Sequence, residues 1–353
     1  MRVETGMDKF QEKNYARIKI FLLKKNFKGF TKKDLFIMQF IKKGWGQDIA
    51  ALSNMAEALT NIAISEQKPL DEITELMIQL VNKALHKSVS PYKQDISNVK
   101  SLGQYGYYLE HLNIILGCYQ RVINDDYIEL NRRVSEHLLA NSMKYSNYHA
   151  PLLPNSKMKW AADQAAIIYS LWLFDMNNKT SLHNELAKKW LEYMKLKGTH
   201  KSTGLFITEV QNVKKFSNQP RGCALSYLIH YMSKFAPEVA KDQWNLYKKH
   251  MLTKRLGIKC FREYLPTYKG KWSPDSGPII AGAGIAATGL GMNAATSVKD
   301  EETFLLIYKG AKVILILINL TKWIPGIHII SRIANDLLAS AIFLNTNTKT
   351  NWY

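Results

Sequence analysis

The chain has 353 residues, with 48 Lys and Arg against 29 Asp and Glu, a formal charge of +19. Apolar residues at 46% and charged residues at 22% are ordinary globular usage, which excludes wholesale disorder and allows a sizeable core. Three cysteines (Cys118, Cys223, Cys260), none in CxxC spacing, exclude a disulfide framework and a structural zinc site. Only nine of the basic residues are Arg, whose planar fork favours base and phosphate recognition, so no nucleic-acid partner is expected.

From the N-terminus, the longest apolar stretch before residue 25 is Ile20 to Leu23, too short for a signal-peptide core. A cytoplasmic or peripherally membrane-associated protein is expected. Helical periodicity dominates and no period-two strand stands out. It predicts helices over 8–22, 31–43, 48–65, 70–87, 105–121, 124–141, 161–176, 181–197, 221–235, 237–253, 277–296, 303–321 and 329–344. Residues 276–298 carry no charge and are long enough to cross a bilayer, but their Gly and Ala content favours a buried helix. Residues 313–344 are interrupted by Lys322, Arg332 and Asp336, and Pro325-Gly326 breaks the helical pattern.

The spacing of these helices is regular. Every second one follows a loop rich in Gly, Pro or aromatic residues. Markers at Asp48, Tyr105, Asp163, Gly222, Ser276 and Ser331 step by 57, 58, 59, 54 and 55 residues. Each step holds a helix poor in charge and a charged one, so each hairpin buries its apolar face on its neighbours. The expected architecture is all-α, an (α/α)6 toroid of about six hairpins with a period of roughly 55 residues. Residues 1–43 would supply N-terminal helices, with the 31–43 helix placed to close the barrel as an outer helix. The barrel would span 44–345, and 346–353 would form a C-terminal tail.

In such a toroid the inner helices run in one direction, so their N-termini and preceding loops share one mouth, a setting that favours anionic or hydroxyl-rich ligands. Asp163 and Asp275 arrive there from different hairpins, with Asp48 a third carboxylate. Paired carboxylates divide acid and base roles when their surroundings separate their pKa values, although Asp before an apolar helix is also a common cap. Arg221 brings a bidentate donor, while Trp45, Trp160, Trp272, Tyr105 and Tyr107 bring flat faces that suit a sugar ring. His111 is a candidate base, on one helical face with Tyr107 and Glu110, or else a satisfied core histidine. Glu209 and Glu263 precede inner helices and are candidate mouth residues. Cys223 lies at a helix start, where a thiol pKa falls, or is an inert buried Cys. No GxxxxGK[ST], HExxH or GxSxG motif occurs, and no spaced cluster calls for a metal or other cofactor.

The loops Lys159-Trp160-Ala161-Ala162-Asp163, Pro220-Arg221-Gly222 and Asp275-Ser276-Gly277-Pro278, with Tyr105-Gly106 and His111-Leu112, resemble a group of uncharacterised bacterial six-hairpin (α/α)-barrel proteins. That group carries W-P-x-D, P-R-G and D-S-G-P loops in this order, and the resemblance covers residues 44–298. Here Ala replaces the Pro expected after Trp160, while Asp163 is kept. The wider fold is similar to carbohydrate-active toroids (unsaturated glucuronyl hydrolases, alginate-type lyases, uronyl epimerases) and to linalool dehydratase-isomerase.

The expectation is an acid–base enzyme acting on a glycan-like or uronate-bearing small-molecule or oligosaccharide substrate as hydrolase, lyase or epimerase. Asp163, Asp275 and His111 would be catalytic. Arg221, Trp160, Tyr105, Tyr107, Glu209, Glu263 and Asp48 would bind substrate, with no metal. One alternative keeps the barrel and gives it an isoprenoid alcohol to dehydrate or isomerise, with Tyr105, His111 and Cys223 as the acid–base set. Another is a non-enzymatic, membrane-associated binding or scaffold protein that uses its basic face and C-terminal third for peripheral membrane contact. The oligomeric state is open.

Overall fold

The computed structural model describes residues 6–39, 46–212, 214–255, 257–321, 323 and 327–353, without the side chains of 317 and 319. The first mouth loop at Gly44-Trp45, the 40–43 end of the expected 31–43 helix and the Pro325-Gly326 break lie outside these residues. The fold is all-α with small β additions. Its helices are α1 Lys9–Leu22, α2 Gln47–Ile64, α3 Leu70–Leu85, α4 Gly106–Val122, α5 Ile128–Met143, α6 Ala161–Asn178 and α7 Leu182–Lys197. They continue with α8 Gly222–Phe235, α9 Pro237–Met251, α10 Ile285–Ser297, α11 Glu301–Leu320, α12 Ile327–Ala334 and α13 Leu337–Asn347.

Charge sorts these helices into two sets. Along α6 the acids are Asp163 and Asp175 alone, and its side chains are buried nearly all round, as expected of a helix enclosed by others. The next helix, α7, buries only the stripe Leu186, Ala187, Trp190 and Met194, and turns its lysines and glutamates outward. The buried set packs in order α2, α4, α6, α8, α10 and α13, and α13 returns to α2. The order therefore closes on itself. The second set flanks it: α3 lies on α2 and α4, α5 and α7 on α6, α9 on α8, and α11 on α10.

Several boundaries differ from the sequence expectation. The helix that flanks α13 is α1, which also touches α3. Residues 31–39, the described part of the expected 31–43 helix, do not form it. Thr31 and Asp34 tie their side chains to the local backbone, competing with a helix, and only a 3-10 turn at Phe36–Gln39 follows. The 277–296 helix begins only at Ile285. Before it, Ile279–Ile280 (β6) and Ala283–Gly284 (β7) form a hairpin around Ala281 and Gly282, both at positive φ. The 329–344 helix is divided: α12 and α13 bend by 52°, and Asp336 caps α13 by accepting from the Ala339 amide. The strands not foreseen are short. Lys159–Trp160 (β1), Glu209–Asn212 (β2) and Lys215–Phe216 (β3) form one sheet, and Leu252–Arg255 (β4) pairs with Ile258–Phe261 (β5).

The segment after α13 is not a solvated tail. Trp352 is buried and its indole donates to Asn61 Oδ1 at 2.7 Å. Arg121 donates to the Trp352 carbonyl and lies 4.3 Å over the Tyr353 ring, whose hydroxyl donates to Asn177. Asn61, Arg121 and Asn177 belong to the last turns of α2, α4 and α6. Residues 349–353 thus lie across the C-terminal ends of the buried helices and floor the structure opposite the mouth.

Candidate functional site

The mouth is assembled from the starts of α2, α4, α6 and α8 and from the loop before β6. Gly46, at φ 82°, caps α2, and a Cβ there would lie 2.2 Å from Tyr107 Cε1, so glycine lets α4 present this tyrosine. The Gln47 amide donates to the Pro274 carbonyl at 3.0 Å, holding the 273–278 loop over the start of α2. Asp163 sits in the first turn of α6, whose N-cap is Trp160. Asp275 lies ten residues before α10, so it does not cap that helix.

These groups meet. Burial first, then the charges of Asp163, Tyr227, Asp275 and Glu110 raise the Tyr107 pKa well above its usual value. Asp275 is exposed to solvent. Burial raises its pKa, and Arg221 partly offsets this. Asp163 is pushed up to about 7, by burial and then by Asp275, and the neighbouring Glu110 restrains the rise. Glu110, fully buried on α4, is raised well above the carboxylate range by burial and by Asp163. No N–H or hydroxyl among the described residues donates to its oxygens. Burial and the neighbouring Asp163 thus favour the protonated form of Glu110.

Behind this pair, His111 is fully buried and bonded through Nδ1 to Ser53 Oγ at 2.7 Å. Its Nε2 lies 3.8 Å from Glu110 and has no hydrogen-bond partner among the described residues, and burial lowers its pKa to about 3. It is a neutral imidazole at physiological pH. Tyr107 packs edge-on against it, with ring centroids 4.9 Å apart.

Arg221 and Glu263 form the next part of the wall. Arg221 Nε donates to Glu263 Oε1 at 3.1 Å, and its Nη2 donates to Ser273 at 2.8 Å. Glu263 is fully buried and also accepts from the Cys223 amide and thiol, both at 3.1 Å. The cysteine's position at a helix start does not lower its pKa: burial and the carboxylate of Glu263 raise it, outweighing Arg221. The guanidinium spans the loops before α8 and β6, which makes it a brace of the mouth.

The remaining expected residues occupy the rim. Trp160 and Glu209 are register partners across β1 and β2. Tyr105 caps α4 and meets Tyr92 edge-on. Asp48 is buried in the first turn of α2, where the Ile49 amide donates to it. Trp272 is 63% exposed. A shallow hollow of about 320 Å³ over α3, lined by Asp71, Thr74 and Glu75, lies apart from all of them.

A second buried polar cluster lies toward the floor. Glu57 accepts from Tyr169 at 2.8 Å and Asn345 at 2.8 Å, and lies 3.4 Å from His230 Nε2. Lys349 reaches His230 Nδ1 at 3.1 Å and Asn293 at 2.6 Å. Burial alone would raise the Glu57 pKa, but His230, Lys349 and Tyr169 hold it at about 2. Asn54 links the two clusters, donating to Tyr227 at 3.2 Å and accepting from Asn345 at 3.4 Å. Among the described residues no group of three His, Cys, Asp or Glu is placed to hold a metal ion. In comparisons with known proteins, no family model matches the chain and no curated sequence matches it.

Proposed function

We propose that this chain is an (α/α)6-type enzyme that performs acid–base chemistry on a polyhydroxylated, glycan-like or uronate-bearing substrate. The observation that carries the proposal is the Asp163–Glu110 pair, with Asp275 and Tyr107 facing the same space. A group titrating near pH 7 serves a proton-transfer step in either direction, and Asp163 is placed there by burial and by a neighbouring carboxylate. Glu110 stores the proton that Asp163 gives or takes. Tyr107, held neutral, donates to an oxygen of the substrate, and Asp275 is the second carboxylate at the opposite wall. Helix N-termini at the mouth favour hydroxyl-rich or anionic groups. The resemblance of the 159–163, 220–222 and 275–278 loops to six-hairpin barrel proteins supports the same class.

The dehydratase alternative is less favoured. It asks Cys223 to take part in proton transfer, whereas its thiol is buried, bonded to Glu263 and raised in pKa. The test is a panel of uronate-bearing and neutral oligosaccharides and isoprenoid alcohols. Wild-type protein is expected to turn over a saccharide, and Asp163→Asn to lose about a hundredfold or more of that rate while remaining folded. Turnover of the saccharide by Asp163→Asn at the wild-type rate would sink the assignment.

A further inference from the structure

On the mouth side of the chain α11 leaves the core. Its first half is anchored by buried Thr303 and Ile307, and Gly310 lies close against Ile258 of β5. Beyond this point the sequence Val313 to Leu320 carries no charge. Val313 is 51% exposed, Ile316 60% and Leu320 68%, and Trp323 just past the helix is 79% exposed. Their spacing of three and four residues sets them on one stripe. Large aliphatic side chains in a continuous exposed row, ended by a Trp, are unusual on a surface meant for water alone.

A basic hollow adjoins this stripe. On α12, which packs against α11, Ile329 is exposed and Arg332 lies one turn further along the same face. Arg332 donates to the Lys32 carbonyl at 2.6 Å. With Lys13, Arg17, Lys32 and Lys33 it lines a hollow of about 340 Å³ in which Asp336 is the one acid. The helix that carries Arg332 thus packs on the helix that carries the apolar row.

We infer that this face is a docking surface for an anionic phospholipid bilayer, with Val313, Ile316, Leu320 and Trp323 entering the acyl boundary and the lysine-rich hollow receiving headgroup phosphates. Charge selects this occupant: the protein carries +19, and a lysine cluster beside an exposed apolar helix matches the negative surface potential of such a membrane. Among the described residues no single helix is long and apolar enough to cross a membrane, so the contact is peripheral. The bent pair α12 and α13 has the length, but α13 is packed between α2 and α10. Docking in this way sets the mouth side toward the headgroups. The inference does not depend on what the mouth binds.

Co-sedimentation with phosphatidylcholine vesicles, with and without phosphatidylserine, tests it on the full chain. Binding is expected only with phosphatidylserine and should weaken with salt. Ile316→Glu/Leu320→Glu is expected to lower partitioning about a hundredfold. Each of Lys32→Gln and Lys33→Gln should cost about fivefold. These side chains are exposed, so the unfolding temperature should stay at the wild-type value, and a shift would call for Trp323→Ala as the alternative apolar variant. The inference is overturned if phosphatidylserine vesicles bind no protein, or if Ile316→Glu/Leu320→Glu binds as well as wild type. It is equally overturned if wild type is a dimer in solution that this variant converts to monomer, since the row is then a self-association surface.

Discussion

The mouth and the floor both bury acids on the inner helices, and they treat them in opposite ways. At the mouth, no cation among the described residues is bonded to Glu110 or Asp163, and burial raises both pKa values, joined by Asp163 at Glu110 and by Asp275 at Asp163. At the floor, Glu57 meets donors from α6, α8 and α13, with the charge of Lys349 nearby, and stays ionised. The floor spends its donors on neutralising a charge; the mouth leaves its carboxyls in tension. Strain of this kind is typical where groups are poised to exchange protons. Satisfied networks of the floor type instead fix one arrangement of the core.

The largest stability effects should come from breaking the floor. Trp352→Ala removes a buried indole and its bond to Asn61, and about 3–5 kcal/mol should disappear in chemical denaturation. Lys349→Met leaves Glu57 with one cation fewer, and a loss of roughly 3 kcal/mol is expected. Adding Glu57→Gln to Lys349→Met should recover much of it, because no buried charge then lacks a partner. If the double variant is no better than the single one, charge neutralisation is not what organises the floor.

The pH dependence of stability separates the two ends. Asp163 has a folded pKa of about 7, above its unfolded value, so the folded state holds the extra proton between pH 4 and 7. Its contribution therefore falls as pH rises through that window. Asp163→Asn should melt higher than wild type at pH 8, and the difference should vanish near pH 4. Glu57 is the reverse case: its folded pKa of about 2 lies below 4.5, so its contribution is present above pH 4.5 and fades as pH drops toward 2. Glu57→Gln should flatten the acid limb of the stability curve and leave the neutral limb alone. The smallest effect belongs to the rim, where Trp272→Ala should shift stability by about 0.5 kcal/mol or less. A saccharide substrate, in contrast, should show a higher KM with this variant.

Much of the architecture was legible because the inner helices are long, nearly uncharged and evenly spaced. The same signal failed at 277–284, where an apolar, Gly-rich run could not reveal that positive φ at Ala281 and Gly282 turns a hairpin there. It failed at 31–39 because an apolar run outweighed the local bonds of Thr31 and Asp34. At the mouth, Asp163, Asp275, Arg221 and Tyr107 stood out as loop and helix-start residues. Glu110 was visible only as a neighbour of His111, although an acid in the middle of a charge-poor inner helix is itself a signal. Glu57 carried that same mark in α2. Lys349 carried none, since a lysine among Asn and Thr looks like any solvated segment until the floor is assembled.

The closure of the helix order has a kinetic consequence. Its final member, α13, seals the gap between α2 and α10, and the early helix α1 needs α13 to cover its buried face, with Gln11 reaching the Asn347 carbonyl and Arg17 the Asn335 carbonyl. These contacts join residues more than 300 positions apart. During synthesis, then, α1 and α2 emerge long before their partner and must wait with apolar surface uncovered. Folding should end in a slow, late docking step, and chaperone demand should be greatest just before residues 337–353 leave the ribosome.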